Sequence, residues 1–179
     1  MSTPYHRIEG HLQVLDAFGY WPSFHDAEIL SLLLDRSAVL FEGIADARLE
    51  LSLHAFEWTR SDCPAFNHHL VQFRFHDLEE VALSGFNHQN AILMLKIADE
   101  VRGDDRPSGL KITFVPAHGL SGSFCAGNAE VLSVTPCDKD GRSRPRAEPV
   151  AASNGGSAAP VGNAGAIAAP PSVNESRIT

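Results

Sequence analysis

The sequence has no long apolar run. Its longest uninterrupted stretches, such as Ala91 to Leu95, are a handful of residues, far short of the roughly 20 that cross a bilayer as a helix. The N-terminus, Met1-Ser2-Thr3-Pro4-Tyr5-His6-Arg7, lacks the apolar core of a secretory signal, so export by that route is not expected and a cytoplasmic location is. Cysteine is scarce: Cys63, Cys125 and Cys137 are an odd number at unrelated spacings. They fit neither a disulfide framework nor a zinc knuckle, and read as reduced thiols. No Gly-rich phosphate loop leads into a helix. Cys63-Pro64 and Ser121-Gly122-Ser123-Phe124-Cys125 are loop-like, and neither is the strand–nucleophile–helix turn of a hydrolase. No catalytic constellation stands out, and no cofactor is implied.

Basic charge is also short where it would matter. In residues 1–137, 18 Asp and Glu stand against 9 Lys and Arg, a net of −9; residues 138–179 carry 4 against 5, a net of +1. The folded part is therefore the acidic part. Nucleic acid is held by clustered Lys and Arg, so it is not the expected partner. An acidic surface instead steers a basic protein, or simply keeps the chain soluble.

Helical spacing is confined to the start. Ile8, Leu12 and Leu15, widened by Val14 and Phe18, predict a helix over 7–18 that stops at Gly19. Twelve residues are too few to be stable alone, so the helix must pack on something. From Ala27 on, the period is that of strands. Residues 28–34 are apolar on both sides, as a central strand covered on each face would be. Residues 48–55 alternate, with Leu49, Leu51, Leu53 and Ala55 against Arg48, Glu50, Ser52 and His54. Residues 70–76 set Val71, Phe73 and Phe75 against Gln72, Arg74 and His76. These are half-buried strands of an antiparallel sheet. Weaker candidates are 39–43, 80–84 and 91–97, the last of which also fits a buried helix segment; 110–115 and 129–135 complete the set. Turn signals such as Phe86-Asn87-His88 and Gly103-Asp104-Asp105 separate them, without a βαβ rhythm. The expected fold is α+β and mainly antiparallel β: a single sheet-based domain at 5–137 with one short N-terminal helix. Residues 138–179 are rich in Gly, Ala, Pro, Ser and Asn and hold no aromatic residue. They have nothing to bury and are expected to be a disordered low-complexity tail.

The most particular stretch is Phe18-Gly19-Tyr20-Trp21-Pro22-Ser23-Phe24-His25-Asp26-Ala27-Glu28-Ile29. It sits at the change from helical to strand spacing, and Pro22 biases Trp21 to extended backbone. Its aromatic residues can plug the helix onto the sheet, while His25 or Asp26 bonds backbone in the turn. Alternatively, Trp21, Pro22, Phe24, His25, Asp26 and Glu28 face a ligand or partner. Phe75-His76-Asp77 echoes Phe24-His25-Asp26, and both continue with one residue and then Glu. With nine histidines in the chain, an alternative function is a small metal-dependent enzyme or sensor. It would use His25, Asp26 and Glu28 with His54, His68, His69 or His76. On their strands, however, His54 and His76 occupy the polar sides, where a solvated His needs no metal to explain it.

The Trp-Pro-x-Phe-His-Asp-Ala-Glu core of this stretch, the strand that follows to Asp35-Arg36, and Gly119-Leu120-Ser121-Gly122-Ser123-Phe124 resemble the immunity protein 50 family of bacterial polymorphic toxin systems. The likeness covers about residues 10–137 and stops short of the tail. It implies a mainly β fold and a cytosolic, non-enzymatic protein that binds a cognate toxin domain and blocks it. Its acidity fits a basic toxin, with neither nucleic acid nor membrane as partner. Candidate contacts are Glu50, Gln72 and Arg74 on polar strand faces, and Asp104 and Asp105 in an acidic loop.

Overall fold

The computed structural model describes residues 3–39, 45–58, 64–102 and 106–143, all inside one compact unit spanning Met1–Pro145. Cys63, the Gly103-Asp104-Asp105 turn, most of the expected 39–43 strand and the tail from residue 144 on lie outside the described residues.

A 3₁₀ turn at Tyr5–Arg7 precedes α1 (Leu12–Phe18), so the expected 7–18 helix is broken in two. Gly10 breaks it. Its φ is 71°, and a Cβ there would stand 2.9 Å from the Val131 carbonyl oxygen. Gly19 ends α1 in the left-handed region at φ 78°, its N–H donating to Leu15 O at 2.7 Å, as a C-terminal glycine does. The short helix buries Val14 and Phe18.

Eight strands follow: β1 (Glu28–Val39), β2 (Ala45–Glu57), β3 (Phe66–His76), β4 (Glu79–Ser84), β5 (Ile92–Arg102), β6 (Arg106–Pro116), β7 (Ser121–Ala126) and β8 (Asn128–Pro136). They form two antiparallel sheets, ordered β1-β2-β3-β8 and β4-β7-β6-β5. The alternation read in β2 and β3 holds: Leu49, Leu51, Leu53, Val71, Phe73 and Phe75 are all buried. They face Leu95, Ile97, Leu110, Ile112, Phe114 and Phe124 of the second sheet in one apolar core. The Phe75 and Phe124 rings meet across it at 5.1 Å, edge to face. Aromatic pairs prefer that arrangement, which adds to the burial of their area.

The two sheets share two joints. At one, β3 runs into β4 and β7 into β8, so a single long antiparallel pair bends from one sheet into the other. Asp77 makes the bend at φ 51°, and Gly127 N–H donates to His76 O at 2.9 Å. At the other, residues 23–29 lie along β5. Asp26 and Ile29 donate to Ile92 O and Asn90 O, while Ile92 and Leu95 donate to Ala27 O and Ser23 O, at 2.8–3.0 Å.

Two expectations are corrected. β1 is not a central strand covered on both faces. It is an edge strand, with Leu30, Leu33 and Leu34 exposed. Its apolar run covers the seam at Ile29 and then continues onto the surface. Residues 121–126 are a strand, not a loop. Their small residues show no alternation because β7 runs against close neighbours: a Cβ on Gly122 would lie 2.0 Å from Ala82 O. Glycine inside a strand often marks such an approach. The 91–97 ambiguity resolves as strand.

Trp21 holds the N-terminal segment to this frame. Its ring stacks on Tyr5 at 5.4 Å and meets Phe24 and Phe73 edge-on at 6.0 and 6.2 Å. Truncation to Ala empties that contact, and Trp21→Ala is expected to cost about 3 kcal/mol, measured by urea denaturation.

Candidate functional site

The particular stretch of the sequence is the seam itself. Phe24 is buried at φ 58° and Asp26 follows at φ 62°. Both are uncommon conformations for residues with side chains, and the backbone pairing with β5 holds them there. Pro22 is buried and Trp21 half-buried. His25 and Asp26 turn outward, their side chains paired at 3.0 Å and with His25 59% exposed. Glu28 reaches across the seam, where its Oε1 accepts from Asn90 N–H.

Asn90 is a residue the sequence reading missed, and it is one of few buried polar side chains. Its Oδ1 accepts from the N–H groups of Asn87 (2.9 Å) and Leu120 (3.2 Å), and its Nδ2 donates to Asn87 O (2.7 Å). The two stretches that carry the family likeness, near residues 19–29 and 119–124, therefore converge on one residue, the first through the Asn90 backbone and the second through its side chain. Gly119 makes the convergence possible: at φ 73°, a Cβ would stand 2.1 Å from Gln89 O and 2.6 Å from Asn90 Oδ1. The available signal was the Gly85-x-Asn87-x-x-Asn90 turn chemistry, whose long-range partner no local pattern announces.

The outer face of the β1-β2-β3-β8 sheet carries a charged ladder. Glu50 and Arg74 are cross-strand neighbours, as are Arg74 and Glu130. Arg74 donates to Glu50 Oε1 from Nε (3.0 Å) and Nη2 (2.8 Å), and to Glu130 Oε1 from Nη1 (2.9 Å). His76 bridges onward, with Nε2 3.1 Å from Glu130 and Nδ1 3.0 Å from the buried Asp46. Arg48 Nε also lies 2.9 Å from Asp46. Gln72 is exposed beside this ladder and accepts from Ser133 Oγ at 2.9 Å. The structure thus brings Glu50, Gln72 and Arg74 onto one face, while Asp104 and Asp105 lie outside the described residues.

Burial opposes a charge on His76, but its hydrogen bonds to Asp46 and Glu130 outweigh that and lift its pKa above the ordinary value. Burial likewise works against ionised Asp46 and Glu130. Hydrogen bonding, chiefly with His76, nevertheless leaves both below the ordinary carboxylate range.

His54 is not the solvated histidine expected of a polar strand face. It is buried, because the 138–143 turn folds over it and brings Gly141 against its ring. Its Nε2 lies 3.0 Å from His68 Nδ1. His68 Nε2 faces Ala65 O at 3.1 Å and must donate to it, so Nδ1 accepts from His54. Burial, and then the neighbouring His68, lower the His54 pKa. His69 instead bonds Asn67 O and packs on Phe18. The histidines of the metal-dependent alternative are thus dispersed: the 54–68 pair, His76 in the ladder, and His25 at the seam. Among the described residues, no three His, Cys, Asp or Glu side chains are placed to hold a metal ion.

Two outcomes follow. Gly119→Ala is expected to cost about 2 kcal/mol or more, from forced φ and the clash at Gln89, read as a lowered denaturation midpoint. The raised His76 pKa stabilises the fold fully below its unfolded value near 6.5, and that stabilisation fades as pH rises through the folded value. His76→Gln should therefore lower the melting temperature more at pH 6 than at pH 9.

Among the described residues, no helix is long and apolar enough to cross a membrane. No curated protein and no solved structure matches the chain. The sequence model of one family, Immunity protein 50, matches residues 11–137. That span takes in the seam, Asn90, the Gly119 element and all eight strands, and is well over half of the chain. The protein belongs to the immunity protein 50 family.

Proposed function

We propose that this protein is a non-enzymatic, cytoplasmic immunity protein of a bacterial polymorphic toxin system. It binds a cognate, basic toxin domain stoichiometrically and covers its active site. Family membership carries this reading. The acidic balance of residues 1–137 supports it, since opposite charge speeds encounter and discourages wrong partners.

Two candidate contact surfaces come from the sequence. The seam offers His25 and Asp26 to solvent, while Trp21, Pro22, Phe24 and Glu28 are engaged in the fold. The outer ladder offers Glu50, Gln72 and Arg74, although Glu50 and Arg74 already satisfy one another, which reduces what either can give a partner.

Co-expression tests the reading, with the toxin domain that a pull-down on the full chain retains as the partner. Growth should be restored by this protein, and the purified pair should form a one-to-one complex with Kd of about nanomolar or tighter. Unrelieved toxicity together with no complex would overturn it.

A further inference from the structure

The four outer edges of the two sheets are treated unequally. The N-terminal segment covers two of them. Glu9 bridges Glu130 on the outer edge of β8, with Glu9 N–H donating to Ala129 O and Val131 N–H to Glu9 O. Residues 23–29 cover the start of β5, at Ile92 and Leu95. The other two stay open among the described residues: β1 beyond Ile29 pairs only with β2, and β4 pairs only with β7.

These two open edges flank one groove of about 550 Å³, whose apolar lining includes Leu32 and Leu34 from β1, Leu83 from β4, and Phe86 and Leu120. Leu34 is 55% exposed on the groove wall, with Phe86 and Val81 exposed near it, while the equally exposed Leu33 lies on the other face of β1, opposite Glu50. Natural edge strands are usually guarded by Lys, Pro, inward charges or short length. β1 is 12 residues long, and Leu30-Ser31-Leu32-Leu33-Leu34 carries no Lys, Pro or charge; the register shifts of β1, at Ile29/Ser31 and Asp35/Ala38, leave an even ladder from Ser31 to Asp35 between them. Exposed apolar area of this kind, beside unpaired strand backbone, is what strand addition uses. Main-chain bonds supply affinity, and alternate side chains enter pockets.

We propose that β1 and its groove are the docking surface for a basic protein partner. An extended segment of that partner adds to β1 as a fifth strand and lays alternate apolar side chains over Leu32, Leu34 and Phe86. The inference rests on the toxin-binding reading and names the surface it uses. Charge selects the occupant. A second copy would bring another domain of net −9 against the first, whereas a basic partner is attracted. Locally, Asp35 borders the groove end of β1. There, Arg36 is its cationic neighbour and Arg48 is turned to Asp46.

The test measures affinity of the full chain for the cognate toxin domain by calorimetry. The variant Leu34→Glu changes one exposed side chain of the groove wall, so its melting temperature should be kept while affinity falls at least about 100-fold. Phe86→Ser, on the far wall, should weaken binding in the same direction and serves if the first variant folds poorly. Lys139→Gln, in the exposed 138–143 turn away from the groove, should bind like the wild type. Wild-type affinity in the folded β1 variant would overturn the proposal, as would an equal loss of affinity in the Lys139 variant. A stable dimer of the protein alone, dissociated by the β1 variant, would assign the edge to a second copy and also overturn it. If the wild type itself does not bind the toxin, the functional reading fails and this surface falls with it.

Discussion

Everything in this fold depends on the pairing of residues 23–29 with β5. Two antiparallel sheets bury one apolar layer between them, and a bent strand pair at Asp77 and Gly127 joins them at one joint only. The seam closes the second. It is built from backbone hydrogen bonds, so it fixes position without dictating side chains. Yet it forces Phe24 and Asp26 to positive φ and places Trp21 and Phe24 over Phe73. Such local strain persists only where surrounding structure over-determines it. Here that structure is the aromatic plug on one side and the Glu28–Asn90–Leu120 bonds on the other. One short segment thus specifies where the helix ends, where the first strand begins and how the sheets meet.

How much of this the sequence disclosed depends on the range of the interaction. Period-2 alternation in β2 and β3 is a local property, and those strands read correctly because one face of each meets the core and the other meets polar neighbours. Glu50 and Arg74 were legible as a polar face for the same reason. β7 was not, because Ser121-Gly122-Ser123 owes its strand geometry to a neighbouring backbone at van der Waals range, which leaves no hydrophobic trace. β1 misled in the opposite way: five residues with four leucines read as a covered strand, and only the topology places them on an edge. His54 was misjudged because its cover comes from Gly141, 87 positions along the chain. Asn90 and Gly119 were invisible as a pair until the fold brought them together.

That edge is where structure and function meet. Residues 8–9 and 23–29 spend the N-terminal part of the chain on covering β8 and β5, and nothing comparable covers β1 or β4 among the described residues. On the proposed toxin-binding reading, the protein works by offering a surface that one partner fits. In the proposed docking, a long apolar strand edge on an acidic domain supplies affinity through its backbone and selectivity through its charge. The charged ladder on the neighbouring face is internally satisfied, so its contribution is to hold β2, β3 and β8 in register behind that edge.

Hydrogen–deuterium exchange of the protein, alone and saturated with its cognate toxin domain, tests this account most directly. The account places the new protection in residues 30–36 of β1, whose outward amides gain strand partners, and in 79–86 along the far wall of the groove. Exchange in those segments unchanged by the toxin, with protection arising instead over 48–54 and 70–76, would contradict it.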